Sequence, residues 1–172
     1  MENQVTTVNA GVRYGIFIGI AMIAYSLILQ VSGQVTNTWL GLVSYIILIA
    51  GIVLAHNYYK SMGDGYMTLG QGLGIGMVIC AIAGIFSSIF SYIYIKFVDD
   101  SIITKSLEEA RIKMEQQNMS DEQIDQALSI TEKFTSPFWL FIIGFISILF
   151  FGFLISLLVS LFTKKNNPQF EV

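Results

Sequence analysis

The sequence predicts an all-α protein, a four-helix transmembrane bundle with an extramembrane amphipathic helical hairpin between spans three and four. The first observation behind this fold is composition: 54% of the 172 residues are hydrophobic and 12% are charged, whereas soluble chains carry about 25% charged residues. The second is that charged residues are missing from 14–59, 65–95 and 134–163. A helix crosses a hydrocarbon core of about 30 Å with about 20 apolar residues, so the first stretch fits two crossings and the others one each.

The predicted spans are residues 12–31, 39–57, 68–95 and 137–162, and together with the hairpin they form a single membrane domain over residues 1–172. A short polar turn at 32–38 joins the first two spans, and such a short connection makes them antiparallel neighbours. The second span begins at Trp39, and Trp139 lies at the start of the fourth. Indole rings favour the membrane interface, so both tryptophans are expected at the same side of the membrane.

Small residues recur at helical spacing on three of the predicted spans. Membrane helices pack closely where such residues face a neighbour, because no water drives them together. The candidate packing residues are Gly11, Gly15, Gly19, Gly70, Gly72, Gly74, Gly76, Gly152 and Ser156. On the first span they indicate either packing within the chain or a homodimer face, and on the third either packing or the lining of a cavity. The alternation GQGLGIG lacks the G-x-G-x-x-G spacing and the strand-then-helix context of a dinucleotide-binding loop.

The segment from Lys96 to Ser136 holds nine of the twelve acidic residues and five of the nine basic ones. Apolar residues at 103, 107, 110 and 114 form one stripe of an amphipathic helix. Ser120 and Gln123 then form a capping box, which satisfies open backbone amides at a new helix start, so the hairpin is expected over residues 99–135. Its outward face is either plainly solvated or a surface for a partner, for which the candidate contacts are Ile112, Glu108, Glu115, Asp121 and Glu122.

The basic residues predict the orientation in the membrane. Four spans place both termini and the loop at 58–67 on one side, and that side carries Arg13, Lys60, Lys164 and Lys165 at the membrane ends of short segments. Basic residues in short flanks direct a segment to the cytoplasm. The termini are therefore predicted to be cytoplasmic and the hairpin periplasmic.

Little in the sequence points to catalysis. Away from their ends the spans contain no acidic or basic residue, although such residues mark ion and proton pathways in membranes. The single cysteine, Cys80, excludes an intrachain disulfide and a cysteine-based zinc site. The single histidine, His56, is expected to be an interfacial anchor, and Ser87, Ser88 and Ser91 are expected to hydrogen-bond neighbouring helices. The sequence therefore predicts no enzyme, catalytic residue, metal site or cofactor, and a net charge of −3 gives no footprint for nucleic acid.

Three stretches resemble a known family: MTLGQGLGIGM at 67–77, FVDDSIITKSLEEARIKMEQQNMSDEQIDQALSITEKFTSPFWL at 97–140 and FFGFLISLLVSLFTKK at 150–165. In these the chain resembles the small bacterial membrane proteins grouped as domain of unknown function 4199, and the layout of the first two spans also fits that family. Because the family is found mainly in Bacteroidota, the resemblance implies a bacterial inner (cytoplasmic) membrane. It implies no established activity and no catalytic residue.

The leading expectation for function is a non-catalytic accessory or scaffolding subunit of an inner-membrane complex. Its partners would be the lipid bilayer and either another membrane protein or a second copy of the chain, with no nucleic acid. The alternative is a lipid or small-solute carrier that uses a groove at the glycine-rich start of the third span.

Overall fold

The computed structural model describes residues 5–167, and over this range the chain folds into six α-helices. Their bounds are α1 Thr7–Val31, α2 Thr38–Met62, α3 Leu69–Phe97, α4 Ser101–Gln116, α5 Asp121–Phe134 and α6 Pro137–Thr163. Four of them, α1, α2, α3 and α6, are long and apolar enough to cross a membrane. The prediction of an all-α chain with four helices of membrane-spanning length and composition is confirmed.

The helix starts are fixed by polar caps rather than by the first apolar residue. The Thr6 hydroxyl accepts from the Asn9 amide at 3.1 Å, so α1 begins five residues before the predicted span. At the start of α3, Thr68 and Gln71 satisfy each other's backbone amides in a capping box. Such caps replace hydrogen bonds that the first turn of a helix cannot make within itself, and they extend the helices beyond the apolar stretches.

The third helix is the centre of the bundle. It packs along α1 on one side and along α6 on the other, while α2 lies mainly against α1 and α6. Buried apolar side chains from α1, α2 and α3 form the core, among them Ile18, Leu48, Ile52, Ile75 and Ile79. We call the end where α1 and α3 begin and α2 and α6 finish the terminal end, and the opposite one the hairpin end.

A short backbone pairing closes the terminal end. The Met67 amide donates to the Lys165 carbonyl and the Lys165 amide to the Met67 carbonyl, both at 2.9 Å. This single antiparallel bridge joins the loop before α3 to the residues after α6. Met67 itself is fully buried, so the bridge also seals the core at this end.

Helices α4 and α5 connect α3 to α6 and contact each other. The predicted capping box at the start of α5 is confirmed: the Ser120 hydroxyl accepts from the Gln123 amide at 3.4 Å, and the Gln123 side chain accepts from the Ser120 amide at 3.1 Å. Asn118, at φ 57°, reverses the chain between the two helices, a conformation that asparagine tolerates better than most residues. Ile124 is the one described residue of α4 and α5 that is buried.

Candidate functional site

His56 lies in α2 and reaches the junction of three helices at the terminal end. Its side chain is fully buried, with Nε2 2.9 Å from the Gly72 carbonyl of α3 and Nδ1 2.8 Å from the Thr163 hydroxyl of α6. The prediction of an interfacial anchor is therefore wrong. The helix continues to Met62 and carries His56 inside the bundle, between α3 and α6.

The hydrogen bonds of His56 determine which ring nitrogen carries a hydrogen in the neutral form. A carbonyl only accepts, so Nε2 donates to Gly72, and Nδ1 then accepts from the Thr163 hydroxyl. The same hydroxyl oxygen lies 2.8 Å from the Val159 carbonyl, and Lys60 Nζ donates to the Thr163 carbonyl at 3.0 Å. Two side chains of α2 thus hold the last turn of α6, where helix carbonyls lack partners of their own.

A polar pocket of about 510 Å³ lies next to this junction, between the loop before α3 and the residues after α6. Its lining includes Tyr59, Asp64, Tyr66, Gln71 and Lys165. Lys165 Nζ lies 5.4 Å from the centre of the Tyr66 ring, close enough for a cation–π interaction. The Asp64 carboxylate accepts from the Tyr66 amide at 3.0 Å.

A second cation at the terminal end is also held by an aromatic ring. The Arg13 guanidinium lies 4.8 Å from the centre of the Tyr58 ring and donates to the Tyr58 hydroxyl at 2.9 Å. The predicted basic flank is thus tied to the tyrosines around it. Within residues 5–167, no group of three or more His, Cys, Asp and Glu side chains is placed to hold a metal ion.

The glycines of α1 all face α3. A Cβ added at Gly11 would lie 2.6 Å from Val78 Cβ, and one at Gly15 would lie 3.0 Å from Ile82 Cβ. Gly19 meets the Phe86 ring at 3.0 Å. A side chain at Gly11 would force the helices apart, and one at Gly15 or Gly19 would need its neighbour to move by a few tenths of an ångström, so this face is used within the chain.

The glycines of α3 divide into two pairs on different faces. Gly72 and Gly76 are buried against α6, where added Cβ atoms would lie 3.1 Å from Ser160 Cβ and 2.6 Å from Ser156 Cβ. Nothing lies within 4 Å of a Cβ added at Gly70 or Gly74.

Gly152 of α6 contributes one further close contact to the same interface. A Cβ added there would lie 3.0 Å from Cys80 Cβ of α3. Of the candidate packing residues, only Gly70 and Gly74 therefore face away from the helices of this chain.

The candidate partner contacts on α4 and α5 are exposed. Ile112 retains 43% of its accessible surface. The Glu115 carboxylate accepts from Arg111 Nε at 3.0 Å, and this contact raises the pKa of Arg111. Asp121 and Glu122 occupy the first turn of α5, where negative charge interacts favourably with the helix dipole. Glu108 lies one turn before Arg111 on the same helix.

A family model described as "Protein of unknown function (DUF4199)" matches residues 13–165. The chain belongs to this family. No curated protein and no solved structure matches the chain.

The DUF4199 match begins at Arg13 and ends at Lys165, so it includes all of the contacts described at the terminal end. The buried links from His56 to Thr163 and Gly72 were not predicted from the sequence of this DUF4199 protein. A single histidine gives no periodic signal, and its partner Thr163 is 107 positions away. The only hint available was that a polar ring lay beside an apolar stretch.

The expected hydrogen bond from Ser87 to a neighbouring helix is also absent from this DUF4199 protein. The Ser87 hydroxyl oxygen is buried and bonds to none of the described residues. It lies instead beside a cavity, because α1, α2 and α6 each place a serine rather than a bulky side chain near it.

Proposed function

We propose that this DUF4199 protein is a non-catalytic accessory subunit of a membrane complex, and that it presents the α4–α5 hairpin to a partner protein. The four apolar helices are compatible with a membrane protein. The charges along α4 and α5 make these helices too polar for the hydrocarbon core, so the hairpin belongs outside it.

The observation that carries the proposal is how little of the hairpin the chain itself covers. Among the described residues of α4 and α5, Ile124 alone is buried. Ile112 is 43% and Ile130 57% exposed. A partner protein could bury these two apolar side chains. A pair of helices that leaves most of its side chains uncovered is well suited to docking against another protein.

The charge of the hairpin indicates the kind of surface it would meet. Residues 96–136 carry nine acidic and five basic side chains, and within the described residues one ion pair, Arg111 to Glu115, uses one of each. The remaining acidic excess complements a basic protein surface and disfavours anionic lipid. The partner is therefore expected to bring lysine or arginine side chains to the interface.

A second contact within the membrane would use the free glycines of α3. Gly70 and Gly74 lie one helical turn apart with open space beside them, which is the arrangement that lets another helix approach closely. The other small residues contact helices of this chain, so the number of small-residue repeats no longer supports a scaffold by itself. A membrane-protein partner or a second copy of the chain could occupy this face.

The geometry gives less support to the alternative, a carrier with a groove at residues 70–76. Two of the four glycines there, Gly72 and Gly76, are packed against Ser160 and Ser156 of α6. A solute could enter between α3 and α6 only if these helices separated, and the open face at Gly70 and Gly74 is lined by glycine on one helix alone.

Co-purification from native membranes in mild detergent tests the accessory role. The informative variant replaces residues 102–134 with a Gly/Ser linker of about eight residues, which spans roughly 15 Å. Since α3 and α6 pack side by side about 8–10 Å apart, this linker can rejoin them without strain. A stoichiometric membrane protein that accompanies the full chain and is lost from the variant supports the proposal; a chain that purifies without any companion contradicts it.

Two point variants distinguish the loss of an apolar contact with the partner from a change in the charge of α4. Ile112→Glu and Gln116→Glu each add one negative charge to an exposed position of α4, but only the first removes an apolar side chain. We expect Ile112→Glu to weaken the complex at least tenfold and Gln116→Glu to leave it within about twofold. Equal weakening by both would mean that the companion does not touch Ile112.

We further propose that the protein resides in a bacterial inner membrane with cytoplasmic termini and a periplasmic hairpin. The support is the family resemblance and the basic flank at the terminal end. In a Cys80→Ala background, the Lys133→Cys variant should react with a membrane-impermeant maleimide on intact spheroplasts. The Lys164→Cys variant should react only after permeabilisation. The reverse pattern would invert the orientation.

A further inference from the structure

A cavity of about 280 Å³ lies among the four long helices, in the half of the bundle nearer the hairpin end. Each helix contributes one serine to its lining: Ser26 from α1, Ser44 from α2, Ser87 from α3 and Ser147 from α6. The sequence gives no sign of this convergence, because the four serines share no spacing and come together only when the helices assemble.

The hydroxyls of this cluster are not used to hold the bundle together. Serine and threonine in helices often donate to a carbonyl one turn earlier, as Thr131 does to the Ala127 carbonyl at 2.9 Å. Ser87 Oγ, in contrast, is enclosed and bonds to none of the described residues. Ser26 accepts from the Gln30 side chain at 3.1 Å, which leaves its own hydrogen available. An enclosed hydroxyl without a partner is unfavourable, so a bound group that pairs with Ser87 would be stabilised.

The lining restricts the chemistry of what can bind. None of the described residues around the cavity is charged, and its remaining walls include Met22, Leu48 and Ile148. An ion would lose its hydration without gaining a counter-charge, so the ligand is neutral. Each serine hydroxyl both donates and accepts, which matches a ligand bearing hydroxyl groups of its own. The volume of about 280 Å³ is close to the lower limit of about 300 Å³ for small-molecule sites. At about 30 Å³ per water-sized group it holds roughly nine such groups, enough for a small polyol or for one part of a lipid.

The depth of the cavity adds a second constraint. Ser26 lies five residues from the end of α1 and Ser44 six residues from the start of α2, or about 8–9 Å along each helix axis. A 25-residue helix is roughly 37 Å long and projects about 4 Å beyond each side of a 30 Å hydrocarbon core. The cavity is thus roughly 5 Å inside the hydrocarbon boundary, deeper than the glycerol groups of phospholipids, so a lipid that enters it must lack a charged headgroup.

We propose that this four-serine cavity binds a glycerol moiety, either as the free polyol or as the backbone of a neutral diacylglycerol lipid. The three oxygens of glycerol pair with converging serine hydroxyls, including Ser87, while its carbon chain lies against the apolar walls. Ser26, Ser44 and Ser147 are each only partly buried, so the site is open on one side and can admit either form. The site is separate from residues 70–76 and does not depend on the hairpin.

The test uses two probes on the purified full-length protein. Tritiated glycerol is measured by scintillation proximity on protein in phosphatidylcholine nanodiscs, and dioleoylglycerol by native mass spectrometry from detergent. Binding of glycerol identifies the free polyol as the ligand, and binding of dioleoylglycerol alone identifies the lipid. Saturable binding of either probe agrees with the proposal, and saturable binding of neither overturns it.

Two variants show whether the binding takes place in this cavity. Ser87→Ala removes the enclosed hydroxyl, and Gly41→Leu places a side chain in the mouth of the cavity, since nothing lies within 4 Å of a Cβ at Gly41. Both should weaken binding at least tenfold. Gly74→Leu is the matched control, because it fills similarly open space outside the cavity, and it should leave binding within about twofold.

The thermal stability of the unliganded protein is a second measurement, and it requires neither probe. Because Ser87→Ala removes a buried hydroxyl without a partner, its melting temperature without ligand should equal or exceed that of the natural chain. A Ser87→Ala protein that is as stable as the natural chain and still binds both probes with unchanged affinity would refute the assignment.

Discussion

Replacing Gly76 with alanine tests how α3 and α6 are held together. A Cβ at residue 76 would lie 2.6 Å from Ser156 Cβ, whereas carbon atoms pack best at about 3.5–4.0 Å. The two helices must therefore separate by about 1 Å. The Ser156 hydroxyl also lies against the new methyl group, so it must turn away and give up its 3.4 Å hydrogen bond to the Leu73 carbonyl. Forcing a methyl group into a packed interior costs about 1–3 kcal/mol.

Helix propensity offsets part of that cost, because alanine favours a helix by up to about 1 kcal/mol over glycine. We expect Gly76→Ala to lower the free energy of unfolding by about 1–2 kcal/mol. The measurement is the loss of helical circular dichroism on titration of the detergent-solubilised protein with a denaturing detergent. Gly74→Ala is the control, since it gains the same propensity with nothing within 4 Å of the new methyl group, and it should be neutral or stabilising.

A double-mutant cycle isolates the contact itself. Ser156→Gly removes the atoms that a methyl group at residue 76 would meet, so Gly76→Ala should cost nothing further in that background. The coupling energy is then about as large as the single-variant loss. Equal losses for Gly74→Ala and Gly76→Ala, or an undiminished loss in the Ser156→Gly background, would refute the proposed α3–α6 packing.

Three further results are expected. His56→Ala removes a buried ring and its hydrogen bond to the Gly72 carbonyl of α3, so it should lower the free energy of unfolding by about 2–4 kcal/mol. Asn57→Ala, at the exposed neighbouring position, should change it by less than about 0.5 kcal/mol. The same unfolding curves measure both variants. Hydrogen bonds from the Ser101 backbone and hydroxyl lower the pKa of Asp99, so an NMR titration should place its midpoint below the ordinary aspartate value of about 3.9, and Ser101→Ala should raise it. The corresponding stabilisation is present above the ordinary pKa and is lost as the pH falls through the lowered one. Cys80 is fully buried, so a thiol reagent should label it only after unfolding.

Each of these three expectations would be contradicted by a specific result. Equal effects at His56 and Asn57 would mean that the ring is not enclosed between helices. If the titration midpoint of Asp99 does not move in Ser101→Ala, the Ser101 hydroxyl does not hydrogen-bond to the carboxylate. Rapid labelling of Cys80 in the folded protein would contradict its place against α6.

The helix content could be predicted from the sequence because it depends on local or one-dimensional information. Stretches without charge set the four long helices. Ser120 and Gln123 are three positions apart, so their capping box can be recognised without knowing the rest of the fold. Where the structure differs, at the longer ends of α1 and α2, polar residues continue a helix that an apolar count ends too early.

The packing of those helices could not be predicted, because each span is apolar around its whole circumference. A soluble helix shows which face is buried by having a polar side, whereas in a membrane span both faces are apolar. The spacing of Gly70, Gly72, Gly74 and Gly76 therefore does not distinguish the pair that meets α6 from the pair that does not. The position of His56 and the convergence of the four serines could not be predicted for the same reason. Both depend on how the helices are rotated about their axes relative to one another.

The Met67–Lys165 bridge has a mechanical consequence for α3 and α6. These helices are joined covalently through the hairpin at one end and by two backbone hydrogen bonds at the other, so they form a closed loop. Sliding one past the other by a single turn, about 5.4 Å, would break the bridge and the His56 bonds to both helices. A force applied to α4 and α5 is therefore shared by α3 and α6 and transmitted along both helices to the terminal end of the bundle.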